Sequence, residues 1–156
     1  MLSSEIEQVI KEKAIKYDIP KSLIKAIIFV ESSGNTYAMR YEKNYRWLYK
    51  VEEFAKKNYV PKLTEEIQQK ISWGLMQIMG AVARERGFKG KYMAELCMPE
   101  IGLEFSCKHL KKYYDRYQSW EKAIASYNAG SPRKAEDGKY ENQYYVDKVL
   151  KYWKER

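Results

Sequence analysis

Residues Leu23 to Val30 read LIKAIIFV, apolar except for Lys25, and the run ends on Glu31-Ser32-Ser33-Gly34. A segment apolar on almost every side must be buried on almost every side. Pro20 just ahead suits the first turn of a helix, and Ser-Ser-Gly suits a helix end. The chain is therefore expected to fold around one deeply buried helix, with Glu31 as a carboxylate at the edge of the core.

The remaining periodicity is also helical. Ser4 with Glu7 three residues later makes a capping-box pattern, and Ile6, Val9, Ile10 and Tyr17 follow near helical spacing, which predicts a helix over about 4–17. Two short helices are expected near 46–58 and 64–71, the second opening at Thr64 after Pro61. After Gly74 the segment LMQIMGAVARERGF reads as helical up to Gly87. Pro99-Glu100 opens a helix to about 116 with Leu103, Phe105 and Leu110 inside, and Ser119 caps another that runs to Tyr127. A last amphipathic helix, about 142–154, carries Tyr145, Val146, Val149, Leu150 and Trp153. Apart from a short β-hairpin within 36–48, no strand-length alternation stands out. The expected fold class is all-α, as one domain over 1–156.

With 29 Lys and Arg against 21 Asp and Glu the formal charge is +8, which favours an anionic partner: nucleic acid, a membrane surface or an acidic wall polymer. The basic residues are spread over many helices with no arginine-rich or recognition-helix pattern, which argues against nucleic acid. No apolar run approaches the ~20 residues that span a bilayer. The 15 tyrosines, against 4 Trp and 4 Phe, suit either a half-wet groove that stacks on rings or a core capped by amphipathic side chains. Cys97 and Cys107 with His109 as the single histidine make no zinc spacing, so neither a metal nor another cofactor is expected.

Glu31 is the residue with chemistry to offer. One turn back on a helix lie Ile27 and Ile28, so its carboxyl borders the buried face. Desolvation and the negative end of the helix dipole both disfavour the anion there, and a carboxyl protonated near neutral pH is a general acid. The alternative is a glutamate just past the core, turned to solvent.

Four ordered motifs bear on that choice: Glu31-Ser32-Ser33-Gly34-Asn35, Ser72-Trp73-Gly74-Leu75-Met76-Gln77-Ile78-Met79, Ser126-Tyr127-Asn128-Ala129-Gly130 and Tyr144-Tyr145-Val146. Together they resemble the motifs of family 1 lytic transglycosylases, the Slt-like murein-cleaving enzymes, over roughly residues 17–153. The resemblance implies a lysozyme-like domain of the goose type whose groove holds alternating N-acetylmuramic acid and N-acetylglucosamine. It puts Glu31 at the position of the family's catalytic acid, which protonates the bridging oxygen and then, as a carboxylate, takes the proton of the muramyl C6 hydroxyl. That hydroxyl attacks C1 and leaves a 1,6-anhydro product without consuming water.

The same resemblance implies substrate-binding roles for Ser32, Ser72, Met76, Gln77, Tyr127, Asn128 and Tyr145. The Tyr145 hydroxyl is expected to point at the catalytic carboxyl, and its neighbour Tyr144 to face elsewhere. From the residues alone, Leu75, Met76 and Ile78 serve equally as core, and Asn128-Ala129-Gly130 as a plain helix stop. The expected partner is peptidoglycan, met by a monomer. MLSSEIEQVIKEK carries acids where an export signal places positive charge, so no export signal is expected in this sequence: either it is missing here, or the protein reaches the wall, periplasmic or extracellular, some other way, as phage lysis and virion proteins do.

Two features depart from the family pattern. Glu31 and Gly74 stand 43 positions apart, a spacer much longer than usual, which makes about 41–71 an inserted segment; it is rich in Tyr41, Tyr45, Trp47 and Tyr49 and is expected to add sugar-binding wall. Nine residues after the acid, where the family commonly has serine, stands Arg40, leaving either Arg40 or Ser72 for that place. Ordinary glycosidases need a second carboxylate. Ile71 to Ala83 holds none, which favours the transglycosylase, while Glu42, Glu52, Glu53, Glu65 and Glu66 keep a hydrolytic muramidase open. A non-catalytic basic module that binds glycan is the third reading.

Overall fold

The buried helix forms as expected and slightly longer, at Lys21–Ser32 (α2), with Leu23, Ile24, Ala26, Ile27 and Ile28 without exposed surface in the computed structural model, which describes residues 1–154. Its one charged interior residue, Lys25, reaches Glu7 at 2.8 Å. Left-handed backbone at Ser33 and Gly34 stops the helix there. Ahead of it lies α1 (Ser4–Tyr17). Its cap is Ser3 rather than Ser4: the Ser3 hydroxyl accepts from Ile6 N–H at 3.2 Å, and Ser3 alone has the extended backbone a cap requires.

The chain then runs through β1 (Met39–Tyr41), α3 (Val51–Asn58), α4 (Lys62–Gln69), β2 (Ile71–Trp73), β3 (Ile78–Met79), α5 (Gly80–Glu85), a 3-10 turn at Met93–Cys97, α6 (Pro99–Tyr117), α7 (Trp120–Ala129) and α8 (Gln143–Lys154). The fold is mostly α. Among the described residues no helix is long and apolar enough to cross a membrane.

Two expectations are corrected. The segment after Gly74 is a β-turn rather than a helix: β2 and β3 pair antiparallel, Ser72 opposite Met79 and Trp73 opposite Ile78, and helix begins only at Gly80. Gly74 and Gln77 both have positive φ, +73° and +51°, which no helix accommodates, and a Cβ at Gly74 would lie 2.7 Å from the Leu96 carbonyl oxygen. There is also no hairpin within 36–48. A strand does form there, but it pairs with β2, some thirty residues on, in the register Met39–Trp73, Arg40–Ser72 and Tyr41–Ile71. The short helices shift as well: α3 starts after Lys50, and α4 is capped at Pro61 rather than Thr64.

The chain divides into two compact units. The first comprises Met1–Val30 and Cys107–Arg156. Its core holds Ile10, the apolar face of α2, Leu110, Ile124, Val146 and Val149, with Trp153 Nε1 donating to Ser22 Oγ at 3.0 Å. The second comprises Glu31–Ser106. There the sheet packs on the 3-10 turn and Phe88 meets Phe105 edge-on at 5.5 Å, around Ile71, Trp73, Ile78, Ala83, Met93 and Leu96. At Gly80 a Cβ would collide with the Gln68 carbonyl oxygen, so α5 can start this close to the end of α4 only on glycine.

Candidate active site

In the second unit Glu31 is half-buried in the last turn of α2. The next residue fixes what lies beside it. Ser32 Oγ donates to the Leu75 carbonyl at 2.7 Å and accepts from Gly34 N–H at 3.2 Å, tying the end of α2 to the Gly74–Gln77 turn.

That turn is braced from within. Gly74 N–H donates to Ala38 O at 2.7 Å. Gln77 Nε2 donates to Ala38 O and Gly74 O, each at 2.9 Å, while its Oε1 accepts from Ser72 Oγ at 2.9 Å. The Gln77 amide is thus occupied on both sides by the fold, and what it holds is the left-handed turn itself. Met76 is 1% exposed and lies in the core.

Ser72 and Arg40, the two contenders for the family's serine position, are cross-strand partners. Their side chains differ in surroundings: the Ser72 hydroxyl is buried on Gln77, whereas the Arg40 guanidinium is 77% exposed and paired with Glu42 at 3.1 Å. The cation is spent on solvent and Glu42.

Besides Glu42, three of the inserted acids have partners of their own. Glu52 is paired with Lys62 at 2.9 Å, whose hydrogen bond and charge hold its carboxyl below the usual range. Glu66 reaches Lys70 at 3.6 Å. Glu65 is fully buried: it receives Arg84 Nη2 at 2.8 Å, Arg84 Nε at 3.1 Å and Gln69 Nε2 at 2.9 Å. Arg84 also donates to the carbonyls of Phe88 and Gly90 and stacks over the Phe54 ring at 4.4 Å. Gln69 in turn clasps Tyr49, accepting from its N–H and donating to its carbonyl, both at 2.8 Å. This latch was invisible in the sequence, since nothing local relates residues 65 and 84. Trp47 and Tyr41 stay exposed, at 67% and 51%.

The first unit carries the other site residues. Tyr127, in the last turns of α7, lies with its ring 5.7 Å from that of His109. Asn128 is exposed, and its Oδ1 accepts from Asn142 Nδ2 at 2.9 Å; Asn142 also donates to Ala125 O at 3.0 Å, and its carbonyl accepts from Tyr145 N–H. Asn142 therefore fixes Asn128 to the start of α8 and sets where Tyr145 begins. Sequence reasoning passed over it, although an asparagine just ahead of a helix was the available signal. Tyr145 is 4% exposed and Tyr144 77%, so the neighbours do face different surroundings.

Burial pushes the Cys97 thiol up, away from reactivity. Among the described residues no cluster of three or more His, Cys, Asp or Glu is placed to hold a metal.

Comparison with curated proteins and with solved structures gives no significant match. The family model described as the transglycosylase SLT domain, however, matches residues 8–149, a span that takes in the end of α2, the braced turn and the residues around Asn142. The chain belongs to the SLT transglycosylase family, lysozyme-like domains that act as lytic transglycosylases on peptidoglycan.

Proposed function

We propose that this protein cleaves the MurNAc-β-1,4-GlcNAc bond with formation of 1,6-anhydro-MurNAc, and that Glu31 is its one acid and base. The Glu31 proton goes to the bridging oxygen as the C1–O bond breaks. The resulting carboxylate takes the proton of the C6 hydroxyl as O6 bonds to C1, which returns Glu31 to its acid form. Tyr127, Asn128 and Tyr145 are assigned to substrate binding with Ser32, Ser72, Met76 and Gln77, of which Ser32, Ser72 and Gln77 act by holding the turn and Met76 by packing beneath it. The catalytic domain is taken as 1–156 with 41–71 inserted, working as a monomer on the wall without a cofactor.

The observation that carries this reading is the placement of carboxylates. Glu31 is anchored through Ser32 to a turn whose surrounding sequence, Ile71 to Ala83, contains no acid; of the two inserted glutamates just ahead of it, Glu66 is paired with Lys70 and Glu65 has its lone pairs committed to Arg84 and Gln69. The C6 hydroxyl, tethered within the substrate at high effective concentration, is thereby favoured over water as the nucleophile.

The product tests it. Muropeptides released from purified murein should be one water lighter than those of a muramidase, and borohydride should leave them unreduced. Products that reduce normally and carry labelled oxygen from the solvent would mean a hydrolase.

Tyr145→Phe removes only a hydroxyl. With that hydroxyl serving the reaction, turnover should drop roughly tenfold, about 1.4 kcal/mol of barrier, at an unchanged melting temperature. Unaltered kinetics would leave Tyr145 as core.

A further inference from the structure

β1 is an edge strand, and its outer side is unsatisfied. Gly74 N–H donates to Ala38 O at 2.7 Å and Glu42 N–H to Lys70 O at 2.8 Å, with Arg40 opposite Ser72 between them. In an antiparallel ladder such bonded pairs alternate, so Ala38, Arg40 and Glu42 face β2, while Met39 and Tyr41 turn their N–H and C=O groups the other way. Among the described residues nothing pairs with those four groups.

Around the open edge the side chains are exposed and mostly apolar or cationic. Tyr37, Met39, Tyr41 and Trp47 are 80%, 56%, 51% and 67% exposed. Arg40, Lys43 and Arg46 outnumber Glu42, and the Arg46 guanidinium sits over the Trp47 ring at 4.8 Å.

We propose that this edge takes up the short, carboxylate-bearing peptide stem of peptidoglycan as an added strand. The proposal rests on the peptidoglycan reading above and names what else of that substrate is read. Two outward donors and two outward acceptors, alternating over a strand on the order of 7 Å long, match two or three residues of extended peptide. A sugar chain carries one acetamido N–H and C=O on each ring, which does not reproduce this spacing. The surplus of cations suits stem carboxylates, and it opposes the other way of filling an edge, since a second copy would bring Arg40, Lys43 and Arg46 of both chains together.

The test compares glycan strands bearing stems with the same strands stripped by an amidase. Wild type should favour stem-bearing strands by at least about tenfold in kcat/KM, chiefly through KM. Met39→Pro deletes an outward N–H without breaking the β1–β2 ladder, and it should bring that ratio close to one, whereas Met39→Ala should keep most of it. Equal cleavage of both strands by wild type, or a ratio that survives Met39→Pro, overturns the proposal. Amide exchange on the wild-type protein with free stem tetrapeptide decides independently, including where the proline variant fails to fold. Met39 and Tyr41 amides should gain protection, and their remaining unprotected at saturating peptide would count against the edge. Inactivity on both strands together with such protection would sink the proposed reaction and leave the peptide site standing; a dimer that peptide cannot dissociate would assign the edge to a second copy instead.

Discussion

Glu31→Gln is expected to fold normally and to lose about a thousandfold or more in turnover, roughly 4 kcal/mol of barrier. The amide has nearly the same size and can still hydrogen-bond, but it cannot deliver a proton to a leaving oxygen or collect one from C6. Residues 71–83 hold no acid to take over, Glu65 is locked on Arg84, and Glu42 is drawn to Arg40. Turnover on purified murein and a melting curve on the same sample suffice. Near wild-type activity would remove Glu31 from the chemistry.

Removing one side of the buried pair should produce the largest stability change. Glu65→Ala leaves Arg84 with a charge in a pocket that has no exposed surface on either side chain, a loss of about 3–5 kcal/mol. For a chain of this size that lowers the melting temperature by roughly 10–15 °C. Replacing both partners with apolar residues of similar volume, Glu65→Leu with Arg84→Met, should recover much of the loss, because the desolvation cost of both charges vanishes with them. A single variant that melts like wild type would mean water reaches the pair. The latch also has a functional side. Through Gln69 it holds the backbone of Tyr49, so loosening it should disturb the exposed segment around Trp47 before it disturbs β2.

The helices were largely legible because their causes are local. The apolar run of α2, Ser119 ahead of α7 and the spacing of Tyr145, Val146 and Val149 each state a periodicity or a cap within a few residues. The sheet was not legible: three-residue strands are too short to show alternation, and the partner of β1 lies thirty residues away. Gln77 illustrates the limit at the site. Its place in the motif was plain, yet only the fold reveals that its amide is spent on Ala38, Gly74 and Ser72.

By itself the sequence determined the buried α2, its termination after Glu31, and a motif order sufficient to identify the family. Those features depend on neighbours within a turn or two of helix. The tertiary structure alone decided that the Gly74–Gln77 segment is a turn anchored by Ser32, that Ser72 rather than Arg40 is turned inward, that Glu65 belongs to Arg84, and that one side of β1 is open. Each depends on groups brought together from distant parts of the chain, where desolvation selects the partner of a buried charge or amide and sequence spacing carries no record of it.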